Sequence, residues 1–356
     1  MLSRTNTAIN QRFTQPGRAP FTGVAAQNTL HSVQFPVTSS SPARSSVILA
    51  LTTIYLVWGS TYLGIKVAVE TMPPFAMAAC RFLIAGIVLL IVLMLRGGKR
   101  PTRRQWVDNT IIGTLLLLGG NGLVAWAEQF MPSGITALLI GIGPLFVVLT
   151  EWAWPGGQRP TVGIIGALLL GLAGVVWLAA PWETQLEGGL PFTGVAVILF
   201  SCVCWSIGSI YSRHAKSSPD PFQAAALQML GGSLALFITA FAVGDFARLD
   251  LAAISHRSWW ALGYLIVIGS LVGFSTFVWL MKNVQPALAA TFAYVNPIVA
   301  VFLGWWLLNE TVTPRTFGAA SIIITSVIII TVQKNRRALS VPPRQAVAAA
   351  DAAKDT

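Results

Sequence analysis

The chain has 356 residues, of which 54% are apolar and only 10% charged, and its mean hydropathy is +0.69. Soluble domains carry about 25% charged residues, so a water-exposed globular fold is excluded and the lipid bilayer is the expected solvent. The net charge of +11 does not call for nucleic acid, because the 23 Lys and Arg lie between apolar stretches and in the tails, where membrane proteins use them for orientation.

Residues 1–46 are Ser/Thr-rich, carry Arg4, Arg12, Arg18 and Arg44, and contain no acid. That bias suits an organellar transit peptide, and it equally suits a disordered basic tail or an over-long start. The tail is the reading carried forward, with no cleavable secretory signal. Ten apolar spans then follow, each near the roughly 20 residues a bilayer requires. They cover 47–68, 75–95, 107–128, 133–152, 161–180, 191–212, 222–243, 259–280, 286–308 and 315–333. Turn-forming residues separate them, among them Pro73-Pro74, Gly156–Pro160, Asn283–Pro286 and Asn309–Pro314. A second disordered tail is expected over 336–356.

Ten spans put both ends on one side. Taking that side as cytoplasmic places 18 basic residues there. Four are in the N-terminal tail, five in 96–104, and five follow Val332; Arg159, Arg213, Lys216 and Lys282 complete the set. Only Lys66, Arg248, Arg257 and Arg315 fall outside, and Arg81 is left within a span.

The spans also repeat. Trp58 and Trp205 differ by 147 positions, as do Lys66 and Arg213, Pro74 and Pro221, Phe75 and Phe222, and Arg81 and Gln228. A shift of 150 aligns Gly113 with Gly263 and Gly119 with Gly269, and a shift of 153 aligns Pro144 with Pro297. The expected architecture is an all-α polytopic membrane protein with two five-helix repeats, 47–180 and 191–335. An odd helix number makes the repeats inverted, a plan that puts transporter substrate sites near the midplane between the copies.

Three segments carry a resemblance: Tyr55–Phe82, Asn121–Phe146 and Pro286–Glu310. They resemble the EamA family of the drug/metabolite transporter superfamily, in its inner-membrane branch, over roughly residues 47–335. The resemblance implies an exporter of metabolites, amino-acid-like compounds or xenobiotics, driven by the membrane potential or a proton gradient. In the family each repeat carries a Glu thirteen residues after the fourth-helix Pro. Glu310 stands in that relation to Pro297, but Gly157 stands in it to Pro144, so a symmetric Glu pair is not available for coupling.

The candidate site residues follow from these positions. Pro144 and Pro297 sit mid-span, where each frees the carbonyl four residues back, at Ile140 and Ala293; a hinge competes with a fixed kink. Trp58 and Tyr62 lie on one face of the first helix with Trp205 as a repeat mate, lining a pathway or simply packing. Tyr294 and Asn296 precede Pro297 and are expected at the cavity. Arg81 lies six residues into the second span, roughly 9 Å along its axis, and should have a partner; Glu128 and Glu70 are the expected mates, with a substrate carboxylate as the functional reading. Glu128, with Asn121 one heptad earlier, is the candidate for loading a proton. Glu310 is expected in capping or loop structure, where it could pair with Arg315, with coupling as the functional reading, and Thr313 as a helix start. Small residues at Ala167 and Gly171, and at Gly318 and Ser321, permit close helix contact or a homodimer face. Cys202 and Cys204 point roughly 200° apart on a helix, and with Cys80 they read as packing residues. No metal site, cofactor or nucleic-acid partner is expected. Nor is there a P-loop or a nucleophile–base pair, which disfavours a membrane enzyme or receptor. A passive facilitator or channel is the nearer alternative to a secondary transporter.

Overall fold

A computed structural model describes residues 43–157, 159–180, 190–284, 288 and 291–340, the side chains of Tyr294 and of 334–340 excepted. Among the described residues there are helices and no strands. We number the helices in chain order: α1 Arg44–Ala68, α2 Pro74–Leu95, α3 Arg103–Ala127, α4 Ser133–Ala153 and α5 Val162–Ala179. The second set is α6 Phe192–His214, α7 Pro221–Ala242, α8 His256–Asn283, α9 Phe292–Leu308 and α10 Pro314–Ser340. Nine have the length and apolar character to cross a membrane. The described part of α9 has 17 residues, about 26 Å at 1.5 Å per residue, a little short of a hydrocarbon core of about 30 Å.

Two boundaries differ from the sequence reading. Helix α1 begins at Arg44, inside the stretch assigned to the first tail. Helix α10 continues to Ser340, past the expected start of the second tail. The apolar run stops at Val332, but Gln333, Lys334, Arg336 and Arg337 are good helix formers and suit the negative end of a helix. The remainder of both tails, 1–42 and 341–356, lies outside the described residues.

The faces turned away from the protein are apolar. Ile84, Ile87, Val88 and Ile91 on α2, and Leu234, Ile238 and Phe241 on α7, are exposed at matched helical spacings. Such a stripe on a water-exposed protein would drive aggregation; against lipid tails it is the required surface.

Contacts between helices exchange when the copies are swapped. Helix α1 meets α9 as α6 meets α4, α3 meets α7 as α8 meets α2, and α1 meets α8 as α6 meets α3. The pairs α2–α7, α4–α9 and α5–α10 map onto themselves. This is the pattern of a pseudo-two-fold axis. Five crossings per copy make that axis lie in the membrane plane. We call the end bearing the described chain ends the near face and the opposite end the far face.

Small residues set the closest crossings, as expected where packing rather than hydrophobicity joins helices. A Cβ on Gly113 would strike the Gln228 carbonyl of α7, and one on Gly231 would meet the Thr110 Cα at 2.5 Å. Gly171 and Gly174 of α5 lie against Ser326, Ile322 and Ile323 of α10, and Gly318 lies under the Trp177 ring. The small-residue faces of α5 and α10 are therefore used within the chain.

Polar groups buried at helix ends hold the connections. The Asp245 carboxylate, fully buried, accepts from the amides of Phe75 at 2.8 Å and Ala76 at 3.1 Å and pairs with Arg248 at 2.6 Å. It thereby caps α2, whose Pro73-Pro74 start offers no side-chain cap. Asp245→Ala would leave both amides unsatisfied. A loss of about 2–3 kcal/mol is expected, seen as a lower thermal aggregation midpoint in detergent. On the near face Asp108 accepts from the Lys216 amide at 3.0 Å and the Tyr211 hydroxyl at 3.3 Å, joining α3 to the α6–α7 connection.

Candidate functional site

Two long helices depart from ordinary α geometry at matched places. Thr114–Gly122 of α3 and Leu265–Phe274 of α8 are π-helical. A wider turn re-aims side chains and frees backbone carbonyls, and such segments recur at functional sites. The sequence reading gave plain helices there; its only trace of them was the repeat spacing of Gly119 and Gly269.

Each π segment receives a tryptophan from the other copy. The Trp205 ring lies on Gly120, where a Cβ would approach it to 2.8 Å, and the Trp58 ring lies on Gly273, where a Cβ would approach it to 3.0 Å. The two indoles meet edge to face at 5.6 Å. Phe277 and Phe292 complete the cluster, at 4.8 and 5.2 Å from Trp58.

Beside this cluster lies a cavity of about 410 Å³, within the usual range of roughly 300–1,000 Å³ for ligand pockets. Trp58, Tyr62, Arg81, Asn121, Pro144, Trp205, Asn296 and Pro297 all line it. So do Ile140 and Ala293, the residues whose carbonyls the prolines leave without an amide. The spacing thus brings eight of the ten predicted residues together. The Tyr294 side chain lies outside the described set. Glu128 is buried at the far end of α3 rather than on the cavity wall.

The prolines are used differently. Helix α4 is interrupted at Gly141 and Ile142, and Pro144 opens its second half. Helix α9 runs on through Pro297. Gly141 lies against the Pro297 ring, where a Cβ would stand 3.2 Å from its Cγ, so the break in one helix abuts the proline of the other. Asn296 is nearly buried, and its amide lies 3.3 and 3.2 Å from the carbonyls of Tyr55 and Phe292, with the nitrogen able to donate to both. It ties α9 to α1.

Arg81 did not find the partners expected of it. Glu70 lies near Arg257, at 3.9 Å, and Glu128 makes no hydrogen bond to Arg81. The guanidinium, 4% exposed, donates from Nε to Ser270 Oγ of the α8 π segment at 2.8 Å and stands 4.6 Å from the centre of the Phe82 ring. Its repeat mate Gln228 donates to Asn109 at 3.1 Å in a purely structural role. Asn121 reaches only the Leu116 carbonyl, at 3.5 Å.

At the far face, charged side chains bind backbone at helix ends. Lys66 Nζ donates to the carbonyls of Glu128 at 2.6 Å and Met131 at 3.0 Å, where α3 ends. Glu310 accepts from the Ser133 amide at 2.7 Å, the Ser133 hydroxyl at 2.8 Å and the Gly134 amide at 3.0 Å, where α4 begins. Glu310 thus acts as a helix cap, and the helix it caps is α4 of the other repeat. Thr313 does cap α10, accepting from the Thr316 amide at 3.2 Å. Both carboxylate oxygens of Glu128 are buried without a hydrogen-bond partner. Toward the near face the lining extends to Glu151, Arg213 and Thr331. Glu151 and Arg213 stand 3.6 Å apart, and about a third of each side chain remains exposed.

Among the described residues no group of His, Cys, Asp and Glu could hold a metal ion. Cys80, Cys202 and Cys204 are free thiols.

Comparison with known proteins agrees with this plan. The EamA-like transporter family matches twice, over residues 45–180 and 192–332. The uncharacterized inner membrane transporter YedA of Escherichia coli (strain K12) is 38% identical over 287 residues, covering 80% of this chain and 90% of that protein. The uncharacterized transporter YvbV of Bacillus subtilis (strain 168) is 25% identical, covering 81% and 91%. A crystal structure at 24% identity superposes with a TM-score of 0.59, covering 84% of this chain and all of the other, and shows the fold. The chain belongs to the EamA-like transporter family and is a multi-pass membrane protein.

Proposed function

We propose that the protein is a secondary transporter of the inner membrane. It moves small organic molecules outward by alternating access, with both chain ends in the cytoplasm. The observation that carries this reading is the cavity between the two repeats, lined toward the near face and with backbone-bound Lys66 and Glu310 at the far face. The far face is shut by Lys66 and Glu310 acting across helix ends. Toward the near face the described lining ends at the partly exposed Glu151–Arg213 pair. A channel would need one continuous path, so the closed far face favours alternating access over a passive pore. The 18-to-4 division of basic residues supports a cytoplasmic near face. Rocking of one repeat against the other would then open the far side. No catalytic step is part of this reading.

Glu128 supports coupling to protons. An ionised carboxylate without donors is costly in so buried a place, and a proton removes that cost. The ionisable groups around it are Tyr62 and Lys66 of α1, Arg81 of α2 and Glu310 beyond α9. Opening of the far face would expose Glu128 and bring it within reach of water and of the Lys66 ammonium.

The test is flux in proteoliposomes, with a panel of labelled amino acids and small carboxylates and an imposed pH gradient. At least one solute is expected to move faster when protons can flow the opposite way. Glu128→Gln should reduce that gradient-driven part roughly tenfold, with membrane abundance unchanged, while exchange at equal pH persists. Flux indifferent to the gradient in the wild type would remove proton coupling. Absence of any saturable flux would remove the transporter reading itself.

A further inference from the structure

The Arg81 guanidinium stands in the cavity wall with one hydrogen bond, from Nε to Ser270. Among the described residues it has no ion-pair partner. A cation held in a membrane protein interior is tolerated when it pairs with an anion or with carbonyl groups. Here the two terminal nitrogens, which form the prong suited to a carboxylate, make no hydrogen bond among the described residues, and Arg81 lines the cavity. Gly269 makes room for them, since a Cβ there would meet Nη2 at 2.9 Å.

Packing does not require the charge. The repeat-related position in α7 holds Gln228, which satisfies its surroundings by one neutral hydrogen bond to Asn109. The second copy builds the same helix without a cation, so the arginine in α2 answers to something other than the fold.

The rest of the cavity sets the other half of the ligand. The aromatic cluster around Trp58 and Trp205 offers flat apolar surface. Among the described residues no carboxylate stands beside it: Glu151 is at the near mouth with Arg213, and Glu128 lies off the wall. A ligand's ammonium would find no carboxylate partner on the described inner wall and would stand in the repulsive field of Arg81.

The geometry points to Arg81 as the anion receptor of this cavity, and to organic monoanions with an apolar or aromatic body as its ligands. This rests on the reading of the cavity as the substrate site. Nη1 and Nη2 take the anionic oxygens, Ser270 holds the guanidinium from behind through Nε, and the indole and phenyl rings cover the apolar end. Zwitterionic amino acids and organic cations are disfavoured by the same arrangement.

Four probes of nearly one shape separate these cases: 3-phenylpropionate, its amide 3-phenylpropanamide, the amine 3-phenylpropylamine, and L-phenylalanine. Binding of tritiated 3-phenylpropionate to the full-length protein in detergent is measured by scintillation proximity, and the other three are used as competitors. The carboxylate is expected to bind saturably, with each competitor at least tenfold weaker. Arg81→Gln should weaken carboxylate binding at least 30-fold and bring it level with the amide, whereas Arg81→Lys should retain part of it. Absence of carboxylate binding to the wild type, equal competition by the amide, or preference for the amine or the amino acid would each overturn the assignment. The wild-type series decides even if Arg81→Gln does not fold. Equilibrium binding needs no transport cycle, so retained binding with failed flux would count against alternating access and leave the receptor in place.

Discussion

Glu310→Ala is expected to unlatch the far face. The carboxylate bridges the second repeat to the first turn of α4 through two amides and the Ser133 hydroxyl. Charge-assisted bonds of this kind at a helix N-terminus contribute about 2–3 kcal/mol together. If they exist only when the far face is shut, their loss shifts the open-to-shut ratio roughly 30- to 150-fold. A cysteine introduced at Ala137, 1% exposed on α4 and in the cavity wall, in a background lacking Cys80, Cys202 and Cys204, reports the opening. Its labelling by an impermeant maleimide added from the far side should accelerate at least tenfold in Glu310→Ala. Glu310→Gln, which keeps one acceptor oxygen, should fall between. An unchanged labelling rate in Glu310→Ala would show that the latch does not hold the gate.

The near face is not built the same way. Glu310 needs Gly304 beneath it, because a Cβ there would stand 2.9 Å from its carboxyl carbon. In the first repeat the positions are reversed: Glu151 stands where Gly304 does, and Gly157 where Glu310 does. A side chain at Gly157 would strike the Glu151 carbonyl, and Pro286, the mate of Ser133, has no amide hydrogen to donate. Both halves of the latch are therefore missing from the first-repeat copy. The near face instead has the Glu151–Arg213 pair, with Arg213 the mate of Lys66. Partly exposed pairs of that length contribute little, about 0–1 kcal/mol. On the proposed cycle, this inequality favours the state with the far face shut and the near face accessible.

The ten spans were legible because lipid imposes one rule, roughly 20 apolar residues without charge, and the repeat was legible because matched prolines and tryptophans keep their spacing. Those same spacings brought Trp58, Trp205, Pro144 and Pro297 to one cavity. Partners set by long-range geometry were hidden. Nothing local in Ser270 marks it as the Arg81 partner, since only the π turn of α8 aims it there. Asp245 and Glu310 read as loop acids because the helix each one caps begins some 170 residues away in sequence.

Glycine spacing shows the limit most sharply, and it sets the second large effect. Gly113 and Gly263 occupy matched positions in the two repeats. A side chain at 113 would run into the α7 backbone at Gln228 and at the Gly232 nitrogen, whereas nothing lies within 4 Å of a Cβ at 263. Gly113→Leu must push α3 from α7, where backbone meets backbone and no rotamer change relieves the overlap. A destabilisation of at least about 3 kcal/mol is expected, at the upper end of overpacking costs. The readout is loss of monodisperse protein after detergent extraction. Gly263→Leu, on an open face of α8, should be extracted like the wild type, and removing a helical glycine can even raise its melting temperature. The repeat conserves the residue but not the reason for it. The α3–α7 crossing uses Gly113 for close approach, while the matching α2–α8 crossing lies farther along its helix, where Gly269 makes room for the Arg81 guanidinium. If the two leucine variants behaved alike, that division of labour between the repeats would be wrong.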